Sequence, residues 1–340
     1  MSVREVTTGT TAAAVVRDGM VSVERLALPQ PGQGELLVAV DLATVCASDR
    51  TTPTSGPARV LGHEGIGRVI AAGPGAPAGV KDRVVWAPTV SCGRCDRCRG
   101  GRTSACRMLR RFGEEPVDGG WPLSGSFSAH LLLPRGAAVA RVPDVLCDAV
   151  AASAGCAAAT VMAALDVVGP MRGARVLVGG AGMLGLTAAA VATDRGASTV
   201  VAVDPDASRR AMARAFGATE AVAPGAALPD VDIAIVFRMS PAPAFDALAI
   251  GGTLALVGAR AAAEPLTLDT ARLVERRLSV AGVLGAEPRH LTEAVAYLAE
   301  ARDRWPWEQL VSPAVPLSYL PTLLTQPAPV APRAAVQPRR

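Results

Sequence analysis

Between residues 35 and 142 the apolar positions come in short runs punctuated by glycine and proline, the pattern of β-strands joined by turns. Strands are predicted at 35–40, 67–72, 83–87, 127–133 and 138–142, which together describe an all-β, barrel-like lobe. From about Ala149 the texture changes to an alanine-rich helix, and after Gly173 apolar strand, turn and amphipathic helix alternate. Strands in this half are predicted at 175–178, 199–203, 232–236, 253–257 and 278–283, with helix over 186–192. Continuously apolar strands alternating with helices imply a parallel sheet covered on both faces. A helix near 289–300 follows, then a proline-rich stretch at 327–340 that is expected to be extended and partly disordered.

A chain of 340 residues suits two domains. Half of the residues are apolar, as in a globular protein, and only 3% are aromatic, so the core is expected to be built from Val, Leu and Ala. The net charge is +4, from 34 basic against 30 acidic residues. The arginines are spread through a background of alanine, glycine and proline, which speaks against a nucleic-acid footprint and leaves room for local clusters facing an anionic substrate. Residues 1–11 carry no basic flank followed by an apolar segment, and there is no stretch of about 18 uninterrupted apolar residues. The expectation is a soluble cytoplasmic protein with no nucleic-acid and no membrane partner.

Four cysteines, Cys92, Cys95, Cys98 and Cys106, form a C-x2-C-x2-C-x7-C run. Four thiolates in one tight loop suit a closed tetrahedral zinc site that folds a lobe and does no chemistry. Two competitors are weaker. Disulfides suit such short spacings less well than a metal does, and nothing marks the chain as secreted. A nucleic-acid-binding ribbon usually splits its ligands into two separated knuckles and interleaves aromatics, which this loop lacks.

The run 176–178 leads into Gly180-Ala181-Gly182-Met183-Leu184-Gly185 and then into a helix, the strand-to-helix setting that a G-x-G-x-x-G loop needs to bind a dinucleotide. Gly180 permits the tight turn, Gly182 lets the backbone approach a pyrophosphate, and Gly185 lets helix and strand pack closely. The helix N-terminus, at Met183 and Leu184, offers N–H groups to the phosphates. Asp204 closes the next strand 19 residues past Gly185, where its carboxylate would accept hydrogen bonds from the ribose and repel a 2′-phosphate, favouring NAD over NADP. Arg209 is the opposing signal, since it can pair with a phosphate if Asp204 turns away.

Cys46, His63, Glu64 and Cys156 make a second set of ligand-type residues. Taken singly, each suits a buried core position as well as a ligand. Cys147 matches no pattern and is assigned to packing.

Taken together and in this order, the motifs resemble the zinc-dependent alcohol dehydrogenases of the medium-chain dehydrogenase/reductase family over nearly the whole chain. The resemblance implies an α/β protein with a GroES-like β-barrel catalytic domain at 1–154, carrying the zinc lobe at 91–107. It also implies a Rossmann doubly wound parallel sheet binding NAD at 155–286, and a return to the catalytic domain at 287–340. It makes Cys46, His63 and Cys156 the ligands of a catalytic zinc, with Glu64 able to approach the metal, Asp49 orienting His63, and Thr160 packed beside the nicotinamide. The activity implied is hydride transfer between a small alcohol or aldehyde and NAD(H), with Ser48 passing on the alcohol proton. Homodimers or homotetramers, assembled through an edge strand of the Rossmann sheet, are also implied. The chain departs from the family in having Thr51 where a relay histidine often stands. Only 17 positions separate Cys46 from His63, a shortened loop. Alternatives are a non-redox or double-bond-reducing relative, and a catalytically inactive regulator that binds zinc and NAD. The wording of 62–67, 91–106, 121–123, 155–157 and 181–186 is similar to the alcohol dehydrogenases associated with phosphonate metabolism. On that likeness Arg59, Arg110 and Arg111 are candidate partners of an anionic substrate, with solvated surface arginines as the alternative.

Overall fold

The first described element is a hairpin that the apolar pattern leaves unassigned. Thr10–Arg17 pairs antiparallel with Met20–Ala27, closing at Arg17 opposite Met20. The two residues between them, Asp18 and Gly19, have φ of 50° and 82°, as a two-residue turn of the hairpin-favouring mirror-image type requires. The computed structural model describes residues 9–51, 55–258, 265–326 and 330–339. Residues 1–8, within the segment 1–11 read above, lie outside them.

The larger sheet of this half has the strand order Val315–Pro316, Ala334–Gln337, Leu36–Val45, Gly65–Ala72, Arg83–Val90, Arg110–Arg111. His130–Leu133 also pairs with the third strand and Ala137–Arg141 with the fifth. The strand expected to end at residue 40 runs on to Val45, past an irregularity between Val40 and Leu42. Asp41 and Thr44 interrupt the apolar run there, which hid the extension that delivers Cys46. The strand expected at 127–133 is only His130–Leu133. Phe127 and Ala129 bond instead to the first hairpin, at Ala14 N–H to Phe127 O, 2.8 Å, and Ala129 N–H to Ala12 O, 2.8 Å.

The aromatic residues, though rare, are concentrated: Trp86, Phe112, Trp121 and Phe127 sit in the core of this half, with Phe112 edge-on to Trp121 at 4.6 Å. A core of Val, Leu and Ala alone is therefore corrected. The tail expected to be extended forms a strand at Ala334–Gln337. Ala334, Ala335 and Val336 are buried and pair antiparallel with the far end of Leu36–Val45, because the apolar triplet gains more by filling that sheet edge than its proline neighbours forbid. Residues 327–329 and 340 of that stretch lie outside the described residues.

The second half is a six-stranded parallel sheet in the order Glu220–Val222, Thr199–Val203, Arg175–Gly179, Val231–Val236, Leu248–Val257, Ser279–Val283. By position in the sheet this is order 3-2-1-4-5-6, the doubly wound Rossmann arrangement, and the order reverses between Arg175–Gly179 and Val231–Val236. The fifth strand starts at Leu248, earlier than expected, because its pairing with Val231–Val236 carries a bulge. The helix expected at 186–192 extends over Met183–Asp194, and the one near 289 begins at Pro288.

Two compact units result: Met1–Cys156 with Glu287–Glu300 and Trp307–Arg340, and Ala157–Ala286 with Ala301–Pro306. The short segment 301–306 is fixed within the second unit by Trp305, whose ring stacks on Phe216 and whose indole N–H donates to Asp194 at 3.0 Å. The helical run Asp148–Val168 has the length and hydropathy of a membrane span, but it is mostly buried in the protein, the mark of a core helix.

Candidate active site

The end of Leu36–Val45, the turn before Gly65–Ala72 and the π-helical turn Ala154–Ala158 bring Cys46, His63, Glu64 and Cys156 together. One ligand-type atom from each lies within 4.8 Å of all the others. Close approach dictates the third element. A Cβ at Gly155 would lie 1.9 Å from the Trp86 carbonyl oxygen, so only glycine lets the turn carrying Cys156 come this near the sheet.

Asp49 organises two of these groups. Its Oδ2 accepts from the Cys46 backbone N–H at 2.7 Å, and its Oδ1 faces His63 Nδ1 at 3.1 Å. The Nδ1 side of the ring is thereby committed to Asp49, which leaves Nε2 as the nitrogen available to a metal. Burial opposes a charge on His63, but the Asp49 carboxylate and the Cys46 sulfur outweigh it and raise the imidazole well above its ordinary range. The hydrogen bond from Cys156 leads in lowering Cys46 well below a normal thiol, helped by Arg333 and His63 against burial. The same bond, with burial, drives Cys156 up. Two cysteine sulfurs and an imidazole nitrogen so close together form a donor set suited to one borderline-soft dication.

Arg333 was not singled out in the sequence. Its Nε donates to Glu64 Oε2 at 2.8 Å and its Nη2 to Oε1 at 2.9 Å, while the Thr44 hydroxyl donates to Oε2 at 2.7 Å. Glu64 is thus held in a buried fork, its Oε1 3.9 Å from His63 Nε2. Burial pushes its carboxyl up and Arg333 works against that. No local signal marks an arginine whose partner lies 269 positions away.

In the cysteine lobe the sulfurs of Cys95 and Cys98 are 3.5 Å apart, and those of Cys92 and Cys98, and of Cys95 and Cys106, 4.0 Å. A zinc tetrahedron with bonds of about 2.3 Å has edges of about 3.8 Å, so the four fit the metal. The Cys106 sulfur also accepts from the N–H groups of Cys92 and Met108, both at 3.3 Å. N–H groups of Arg107 and Cys98 lower Cys95 to about 6, whereas burial and the neighbouring sulfurs push Cys98 up to about 12. Crowded sulfurs resist ionising together, and a dication among them lets all four do so. Cys147, assigned to packing, is instead exposed, its thiol 3.6 Å from Glu308.

In the second unit Gly180 has φ +94°, and a Cβ on Gly185 would lie 1.8 Å from the Gly180 carbonyl oxygen. Among the described residues, and leaving out its own chain neighbours and helix backbone, a built Cβ on Gly182 meets within 4 Å only the Arg209 guanidinium, at 3.6 Å, which leaves a cradle of the kind a pyrophosphate fills, beside a cation. Met183 and Leu184 start the helix there. Asp204 Oδ2 accepts from Ala181 N–H at 2.8 Å and its Oδ1 from Asp206 N–H at 2.9 Å. Thr160 lies in this unit as the second residue of the helix Ala159–Val168, half-buried.

Residues 32–144 match the alcohol dehydrogenase GroES-like domain family and residues 184–300 the zinc-binding dehydrogenase family. The 5-exo-hydroxycamphor dehydrogenase of Pseudomonas putida is 31% identical over 332 residues, 88% of this chain and 91% of that one. This chain belongs to the zinc-dependent alcohol dehydrogenases of the medium-chain dehydrogenase/reductase family. Another relative, the L-threonine 3-dehydrogenase of Escherichia coli, is 30% identical over 76% of this dehydrogenase and 80% of its own length. Among solved structures, a zinc-binding dehydrogenase from Sinorhizobium meliloti bound to NADP superposes with a TM-score of 0.87 at 26% identity, covering 97% of this chain and 100% of that one.

The arginines considered for an anionic substrate of this dehydrogenase have other partners. Arg110 pairs with Glu115 at 3.1 Å and lies over the Trp121 ring, Arg111 faces Glu114, and the buried Arg59 donates to the carbonyls of Ser55 and Pro57. The phosphonate likeness therefore finds no support in these three residues. Ser48 is exposed, and the Thr51 hydroxyl donates to the Ser48 carbonyl at 3.1 Å.

Proposed function

We propose that this dehydrogenase transfers a hydride between a small alcohol and NAD, using one zinc ion held by Cys46, His63 and Cys156. The carrying observation is the convergence of these three side chains, distant in sequence, within 4.8 Å. When bound, zinc supplies the Lewis acid that makes an alcohol acidic and the nicotinamide takes the hydride. The protein's own groups do the rest. Asp49 keeps the His63 ring turned so that Nε2 serves as ligand, and the exposed Ser48 passes the alcohol proton on, its hydroxyl accepting that proton as it gives its own to solvent.

The named relatives act on hydroxycamphor and on threonine at carbon 3. Secondary alcohols are therefore the class to screen first. We read the cofactor as NAD because Asp204 closes its strand beside the glycine loop. The four-cysteine lobe is read as a second, structural zinc site. A homodimer or homotetramer built on the edge strand Ser279–Val283 agrees with the exposure of Leu284 and Val274 nearby in sequence.

The deciding experiment is metal analysis with steady-state NAD reduction for the unaltered protein and Cys156→Ala. Two zinc ions per chain are expected, with one retained and turnover lost in the variant while its fold persists. A fully active Cys156→Ala protein would mean that the ligand assignment is wrong.

A further inference from the structure

Glu287 stands immediately before the helix Pro288–Glu300, and its carboxylate faces the cysteine lobe. Its Oε2 accepts from the backbone N–H of Thr103 at 2.7 Å and from the Thr103 hydroxyl. Its Oε1 accepts from the backbone N–H of Ser104 at 3.2 Å and from the Ser104 hydroxyl at 2.7 Å. One carboxylate thus holds both main-chain and side-chain donors of two successive residues, in the turn Thr103–Ala105 that leads directly into Cys106.

A second tie across the lobe is the exposed ion pair of Arg107 with Asp96, at 2.6 and 2.8 Å. Between residues 91 and 107 only Cys106 is buried, so apolar packing contributes almost nothing, and the longest span between ligands is the one from Cys98 to Cys106. Ordering that span is the main entropic penalty of assembling the four thiolates, and any contact that holds it beforehand favours metal retention. Glu287 is itself rigidly based. Its N–H donates to His290 Nδ1 at 2.9 Å and its carbonyl accepts from the His290 N–H at 2.9 Å, a reciprocal cap at the start of the helix. That helix is anchored by the buried His290, Leu291, Ala294, Val295 and Leu298.

We infer that Glu287 is a positioning residue for the four-thiolate metal site: by clamping Thr103 and Ser104 it keeps the Cys98–Cys106 span in its ligating shape. The clamp slows metal loss from the lobe without touching the metal. The inference rests on the reading of the four cysteines as a zinc site.

The test follows metal release to a chelator from the full chain, loaded with zinc for rates and with cobalt for the thiolate-to-metal absorption that marks four-sulfur ligation. Glu287→Ala is expected to lose the lobe's metal about tenfold faster, the size usual for removing an outer partner of a ligand shell. The metal of the Cys46 cluster should leave at its original rate and turnover should be unchanged. The pair Thr103→Val and Ser104→Ala should accelerate loss in the same direction, and adding Glu287→Ala to it should contribute less than it does alone. An unchanged rate in Glu287→Ala, or equal acceleration at both metal sites, overturns the inference. Should Glu287→Ala fail to fold, Glu287→Gln carries the same measurement with the shape kept and the charge removed. An unaltered protein without the four-sulfur cobalt signature would overturn the metal reading itself, a different failure from an indifferent Glu287.

Discussion

Arg333 grips both carboxylate oxygens of Glu64 in a fork in which neither side chain is more than 3% exposed. Removing one partner of such a pair leaves the other charged, buried and unanswered. Arg333→Met is therefore expected to cost about 3–5 kcal/mol of stability. The double variant Arg333→Met, Glu64→Leu should recover a large part of it. Denaturant midpoints of the metal-loaded proteins decide this, and a double variant no more stable than the single one would show that the pair's charges are not the reason for the loss.

Asp204 has two duties that a substitution separates. Its carboxylate holds the Ala181 and Asp206 N–H groups, and it supplies the negative charge at the strand end. Asp204→Ala should raise KM for both coenzymes, through the loosened loop, and narrow the preference for NAD over NADP by roughly tenfold, about 1.4 kcal/mol. Steady-state constants with each coenzyme are the measurement. An unchanged ratio would remove Asp204 from coenzyme selection and leave it a loop anchor.

Stability should also fall in acid through the central strands of the parallel sheet. Asp232 accepts from the Arg175 N–H at 2.9 Å and from its guanidinium at 2.8 and 3.1 Å, and these hydrogen bonds hold its carboxyl below the usual range. A depressed carboxyl binds fewer protons folded than unfolded, so its contribution is present above the unfolded pKa and disappears as pH falls through the folded one. Asp232→Asn should therefore be less stable than the unaltered protein at neutral pH, and the gap should close as the pH drops below the ordinary aspartate range. The effect is modest because both side chains are 41% exposed. Urea midpoints of the two proteins across pH test it, and a gap that stays constant into acid would rule the ion pair out.

The sequence made the chemistry legible and hid part of its support. Short-range motifs carried their own context: the four cysteines in one loop, and the glycine loop between an apolar strand and a helix. Cys46, His63 and Cys156 needed the family resemblance, since their sites on three separate elements have no shared spacing. Asp18-Gly19 between apolar runs signals a hairpin, and the weak alternation of the alanine-rich strand before it obscured that signal. Arg333 was out of reach for a different reason. An ion pair between remote residues is a property of the closed sheet, and the proline-rich setting of Arg333 reads locally as loose chain.

The pairing of Ala334–Gln337 with Leu36–Val45 has a consequence for biosynthesis. During synthesis Glu64 has no guanidinium to answer its carboxylate until the arginine 269 positions downstream is translated. The sheet edge beside Cys46 stays open over the same interval. A product ended ahead of Arg333 would lack both the strand Ala334–Gln337 and the guanidinium partner of Glu64.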